Sequence, residues 1–244
     1  MCPSTTQAVR NNAEWCDAVC AARGAPGTFS QHLWVSGGTP PPYYPNIITL
    51  APSSPSLSAA LAKAIDSLGP HVSQELSVKD SFGDTDLSAL GFRVFFEAQW
   101  FGRPGRFSGA RSVANGVQWM SVRSERDLTA WKRAWDAAIL KVDPVFLPPL
   151  LHDENVLFMC ARRGDDIVAG AVANRHAEAV GLSNYFARGP ASNAYRADCV
   201  SMAMARFPGL PLVGYQQQTQ RSAASGAEFT SLGPLRVWVT GKAR

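Results

Sequence analysis

The sequence predicts an α/β protein, an α+β chain with a mixed sheet, folded as two lobes that share a partial internal repeat. Three observations predict it. Short apolar runs of strand length alternate with helix-period segments along most of the 244 residues. The order strand, helix, strand, helical turn, strand occurs twice, over residues 46–101 and 180–239, with connecting segments of nearly equal length. Between the two copies, Gly102-Arg103-Pro104-Gly105-Arg106-Phe107-Ser108-Gly109 breaks both periodicities and divides the chain into lobes 1–108 and 109–244.

The elements follow in order. A helix over residues 13–23 puts Trp15, Val19 and Ala22 on one face and stops at Gly24. Thr39-Pro40-Pro41-Pro42-Tyr43-Tyr44-Pro45 is an extended arm, with its tyrosines packed or lining a pocket, leading to a short strand at 46–50. A helix capped at Ser56 runs to Leu68 and is closed by Gly69-Pro70. Strands at 71–79 and 92–101 flank a helical turn near 84–90. In the second half a strand at 117–122 precedes a helix whose stripe is Leu128, Trp131, Ala134, Trp135 and Ala138, which is core patterning. Two apolar runs over 156–173 flank Arg163-Gly164-Asp165-Asp166, a hairpin turn in which Gly164 takes positive φ at little cost. A strand at 180–187, a helix at 193–207, a strand at 212–215, a helix and a closing strand at 235–239 complete the chain.

Composition narrows the function classes. An apolar fraction of 46% with 17% charged residues is that of an ordinary globular protein. The net charge of +4 is spread thinly, with no basic run longer than a pair such as Arg162-Arg163, so no nucleic-acid partner is implied. No apolar run approaches the roughly 20 residues of a membrane span and no leader precedes the first helix, so a soluble, unprocessed, cytoplasmic protein is expected. Five cysteines are odd in number and lack zinc-like pairing, and His32, His71, His152 and His176 are scattered singly, so reduced thiols and no metal are expected. There is no Walker loop, no dinucleotide fingerprint and no nucleophile elbow, and Cys160 in an alternating strand has no histidine at a spacing that would activate it.

Residues 117–244 resemble a GNAT-superfamily N-acetyltransferase. The resemblance is carried by the strand and helix over 117–138, the hairpin over 156–173, the strand Val180-Gly181-Leu182-Ser183-Asn184-Tyr185-Phe186-Ala187, the strand Leu212-Val213-Gly214-Tyr215, and the closing Phe229-Thr230-Ser231-Leu232-Gly233-Pro234-Leu235-Arg236-Val237-Trp238. The first half resembles such a fold from its fourth strand onward, as a truncated or degenerate partner lobe.

The resemblance implies an acyltransferase that moves an acetyl group from acetyl-CoA, its co-substrate, to an amine of a small-molecule or peptide acceptor in a ternary complex. Two neighbouring parallel strands that splay apart leave backbone groups for the amide-bearing pantetheine arm, here at Leu182, Ser183, Asn184, Tyr185 and Phe186. Arg188, Gly189, Ser192 and Asn193 would receive the diphosphate at a helix N-terminus. The chain departs from the family pattern at Pro190, which removes a donor, so that Gly189-Pro190 also reads as a plain turn. It departs again in Gln216-Gln217-Gln218-Thr219-Gln220-Arg221-Ser222, which lacks the family's acid tyrosine. Glu178 is then the candidate base and Tyr215 the candidate acid, each also readable as a surface carboxylate and a core phenol. The competing expectation is a catalytically silent module that binds a small ligand or a protein, as a monomer or homodimer.

Overall fold

The computed structural model describes residues 2–68, 75–105, 116–136, 143–189, 192–217 and 229–240. In chain order the elements are helix α1 (Thr5–Ala21), strands β1 (Thr28–Phe29), β2 (Leu33–Val35) and β3 (Ile47–Thr49), helix α2 (Pro55–Leu68), strands β4 (Ser77–Asp80), β5 (Phe92–Arg103) and β6 (Gln118–Ser121), helix α3 (Glu125–Trp135), strands β7 (Val156–Arg163), β8 (Asp166–His176) and β9 (Ala179–Ala187), helix α4 (Ser192–Arg206), and strands β10 (Leu212–Gln217) and β11 (Thr230–Thr240). Among the described residues no helix is long and apolar enough to cross a membrane.

The chain forms two compact units, Met1–Trp15 with Gly102–Gly214, and Cys16–Phe101 with Tyr215–Arg244. A contiguous division at 108/109 does not describe them, because the first residues join the second half and the last strand joins the first half. The pairing of β11 is the physical reason. It lies antiparallel to β4, with Asp80 opposite Arg236 and Ser77 opposite Val239, so the closing strand joins the sheet of the first half.

In the first unit the strand order is β6-β7-β8-β9-β10, antiparallel as far as β9 and parallel between β9 and β10. Gly170 faces Trp131 of α3 while its neighbour Ala169 packs with Tyr195 of α4. Since successive strand residues point to opposite faces, α3 and α4 cover the two faces of β8, which explains why β8 is buried along most of its length. Helix α3 begins where Ser124 Oγ accepts the Asp127 amide at 3.1 Å, with Glu125 and Asp127 in its first turn and Lys132 and Arg133 in its last. It ends at Trp135; residues 137–142, including Ala138, lie outside the described part. Trp131 is fully buried and edge-on to Phe158, Phe186 and Phe146.

Helix α1 starts eight residues before the expected position, 5 rather than 13, because Ser4 and Gln7 cap it reciprocally: the Gln7 amide donates to Ser4 Oγ at 3.2 Å and the Ser4 amide to Gln7 Oε1 at 2.9 Å. Asn11 Nδ2 donates to the carbonyls of Asn174, His176 and Ala179 at 3.1–3.2 Å, and Asn174 Nδ2 donates to Asn11 Oδ1 at 3.0 Å. This closed amide pair fastens α1 to the β8–β9 hairpin.

In the second unit the order is β1-β2-β3-β4-β11-β5-β10. The β1–β2 hairpin was not expected from the sequence, where Leu33-Trp34-Val35 is only three residues long. Asp17 builds it: its carboxylate accepts the Gly27 amide at 2.7 Å and the Trp34 indole N–H at 2.9 Å. Helix α2 is capped by Ser54, whose Oγ accepts from Leu57 at 3.1 Å with Pro55 at the first helical position, so the cap is Ser54 and not Ser56. Its buried Leu57 and Leu61 pack with Val78, Phe92 and Trp238. Gln216 and Gln217 extend β10, so the helix expected there does not begin before residues 218–228, which lie outside the described part.

All five cysteines are free, and all but Cys2 are buried. Burial pushes the Cys16 thiol up to about 11 and the Cys20 thiol up to about 12. Native protein at pH 8 is therefore expected to react with a thiol reagent such as DTNB at Cys2 alone, and at all five positions after denaturation. Rapid modification of a second thiol in native protein would contradict this.

Candidate functional site

Strand β9 is held on one edge along its length and on the other only at its start. It pairs with β10 at Val180↔Leu212 and Gly181↔Val213 and no further, yet runs on to Ala187. The Val180 amide donates to the Pro211 carbonyl at 2.8 Å. By alternation, the N–H and C=O of Leu182 point to that same edge, beyond the last registered pair. On its other edge β9 stays with β8, but with one extra residue between Ser183 (opposite Val172) and Phe186 (opposite Gly170). Asn184 occupies this bulge at φ 52, with its Nδ2 donating to Ser183 Oγ at 3.0 Å. A bulge bends its strand and turns peptide groups out of the ladder, so the parallel pair opens at Leu182 and stays open through Phe186. Phe186 is seated on Trp131, and Gly170 makes room, since a Cβ there would lie 2.6 Å from both rings.

The open edge leads into the first turn of α4. Arg196, one helical turn after Ser192, lies over the Tyr185 ring at 4.3 Å from its centroid. Arg163 donates to the hydroxyl of Tyr195 at 3.0 Å. Arg188 donates to the Ala134 carbonyl in the last turn of α3 at 3.3 Å, where a cation meets the negative end of a helix dipole. Gly189 is at φ 80 with open space around it, and Pro190 and Ala191 lie outside the described residues, as do the side chains of Ser192 and Asn193. The sequence reading named Arg188 and missed Arg163 and Arg196. For Arg196 the available signal was its place one helical turn after Ser192.

Glu178 does not join this site. It is exposed and forms, with Ala177, the β8–β9 turn, both residues having positive φ (51 and 55) as a tight I′-type hairpin needs. The open edge begins four residues further along, about 13 Å at 3.3 Å per residue. Tyr215 belongs to the second unit. Its ring is edge-on to Trp100 at 5.3 Å, and Lys79 Nζ lies 3.5 Å from its hydroxyl and 4.6 Å from the ring centroid. Trp100 is fixed by donating to the Ser81 carbonyl at 2.8 Å. Tyr215 and Lys79 line a cleft of about 680 Å³ in this unit, together with the proline-rich arm. Cys160 is buried and its thiol is raised chiefly by that burial, which leaves it inert.

No protein-family model matches the sequence, and no curated protein matches it. Solved structures do. A GCN5-related N-acetyltransferase from Kribbella flavida superposes with a TM-score of 0.63 at 12% identity, over 93% of this chain and 96% of its own. An acetyltransferase described as putative, of the GNAT family, from Novosphingobium aromaticivorans has a TM-score of 0.54 at 14% identity, over 94% and 99%. A tandem GNAT protein from the clavulanic acid biosynthesis pathway has a TM-score of 0.54 at 10% identity, over 81% and 76%. The chain therefore has a GNAT-like fold. At these identities the likeness is one of fold.

Proposed function

We propose that the protein is an acyltransferase that moves an acetyl group from acetyl-CoA to an amine of a small-molecule or peptide acceptor. The observation that carries this reading is the opening of β9 from β10 after two registered pairs, with the bulge at Asn184. Acetyl-CoA would supply an acyl group activated as a thioester. The backbone of Leu182, Ser183, Asn184, Tyr185 and Phe186 fits its extended, amide-bearing arm as an added strand. Gly189, Ser192 and Asn193 at the start of α4 fit its diphosphate, and Arg163, Arg188 and Arg196 supply positive charge that offsets the donor lost at Pro190. Five free thiols accord with a reducing cytoplasm.

Thermal unfolding with added acetyl-CoA tests the reading. A ligand at 100 times its dissociation constant should add about 2.7 kcal/mol of stability. Arg196→Ala is expected to lower that gain with little change in the melting temperature of the protein alone. The absence of any shift at millimolar acetyl-CoA would overturn the proposal. A shift without thiol release across an amine panel would instead point to the catalytically silent module.

A further inference from the structure

The cleft in the second unit has the volume of a small-molecule site and an unusual wall. Tyr43 and Phe95, at 68% and 63% exposure, are the two most exposed large apolar side chains among the described residues, and both line it. Tyr43 is also held at φ 73, a costly conformation for an aromatic residue. The proline-rich arm imposes it: Pro40-Pro41-Pro42 and Pro45 fix the flanking backbone, and the Tyr44 amide donates to the Pro41 carbonyl at 3.1 Å. The resulting turn buries Tyr44 and presents Tyr43. Strain retained in order to present an apolar ring to solvent is the kind of feature that marks a ligand clamp.

The floor is defined by register. Lys79 opposite Val237 and Ser77 opposite Val239 place four side chains on one face of β4 and β11, and all four line the cleft. Lys79 is only 4% exposed, and its ammonium lies on this floor 3.5 Å from the Tyr215 hydroxyl, between the valines of β11 and the aromatic rings of the wall. Glu75 also lines the cleft, its charge offset by Arg93 at 3.6 Å, and Lys79 is the one cation among the described lining residues, a match for a single carboxylate. We infer that this cleft binds a small organic monocarboxylate with a flat apolar body, the carboxylate beside Lys79 and the body against Tyr43 and Phe95. The carboxylate would form a charge-assisted hydrogen bond with Nζ in a poorly hydrated place, and the rings would lose exposed apolar area. This inference does not rest on acyl transfer.

Isothermal titration calorimetry on the full chain, without acetyl-CoA, tests it with benzoate, 3-phenylpropionate and indole-3-acetate, and with the neutral indole-3-acetamide. At least one carboxylate is expected to bind below millimolar, with the amide at least tenfold weaker. Lys79→Met should weaken carboxylate binding at least tenfold. Tyr43→Ala and Phe95→Ala, at exposed positions that do not carry the fold, should each weaken it several-fold, and they decide the matter if Lys79→Met does not fold. The inference is overturned if no carboxylate binds at millimolar concentration, if the amide binds equally well, or if affinity survives both aromatic substitutions. Because no coenzyme is present, these results are independent of the acetyl-CoA melting experiment.

Discussion

Replacing Gly181 with alanine is expected to destabilise the protein by about 2–6 kcal/mol, the sum of overpacking and of buried amides left unsatisfied. A Cβ at this position would overlap both Asn11 Oδ1 and Asn174 Oδ1. Those atoms are ends of side chains, but neither can swing away: both residues are nearly fully buried, and their amides are engaged with one another and with four backbone carbonyls. Gly181 is also the last β9 residue registered with β10, so any shift there moves the point at which the strands part. The acetyl-CoA stabilisation should fall together with the melting temperature. Gly164→Ala is the matched control. It adds a Cβ at φ 59 in open space and should cost only about 1–2 kcal/mol, the left-handed penalty. Urea unfolding of the two variants measures the difference, and equal losses would remove the special role given to the Asn11–Asn174 pair.

Trp131→Ala should cost about 3–5 kcal/mol, the usual range for emptying a buried tryptophan site. At this chain length that corresponds to a fall in Tm of about 6–20 °C. The ring is fully buried and lies 5.2 Å from Phe158, 5.3 Å from Phe186 and 5.5 Å from Phe146, with its indole N–H donating to the Met159 carbonyl at 2.9 Å. Its removal also takes away the wall behind Phe186, so weaker acetyl-CoA stabilisation is expected beyond the loss of stability. Trp131→Phe keeps most of the ring contacts and gives up only the indole donor, and should lose less than half as much. A loss below about 1 kcal/mol for Trp131→Ala would mean that this aromatic cluster is not the centre of its core.

Much of the candidate site was legible before any coordinates. The strand Val180-Gly181-Leu182-Ser183-Asn184-Tyr185-Phe186-Ala187 and the following Arg188-Gly189 could be placed from apolar runs and turn residues, because those signals are local. The bulge could not, since Asn184 reveals itself only against the count of residues on β8. Glu178 looked like a base because it is an acid beside the right strand, while its φ makes it half of a turn. Arg163 comes to α4 from a different strand, so its part depends on a contact 32 residues away along the chain.

By itself the sequence determined the kind and order of most of the elements, the stripe of Trp131 on α3 and the glycine turn of the β7–β8 hairpin. Only the tertiary structure decided that β11 pairs with β4, that β9 and β10 share just two registered pairs, and that Tyr44 is buried while Tyr43 is presented. The reason is physical. Periodicity states which face of a segment must leave water, and turn residues state where the backbone bends. Neither names the strand that will cover that face, because many apolar edges are interchangeable until packing and register fix one arrangement.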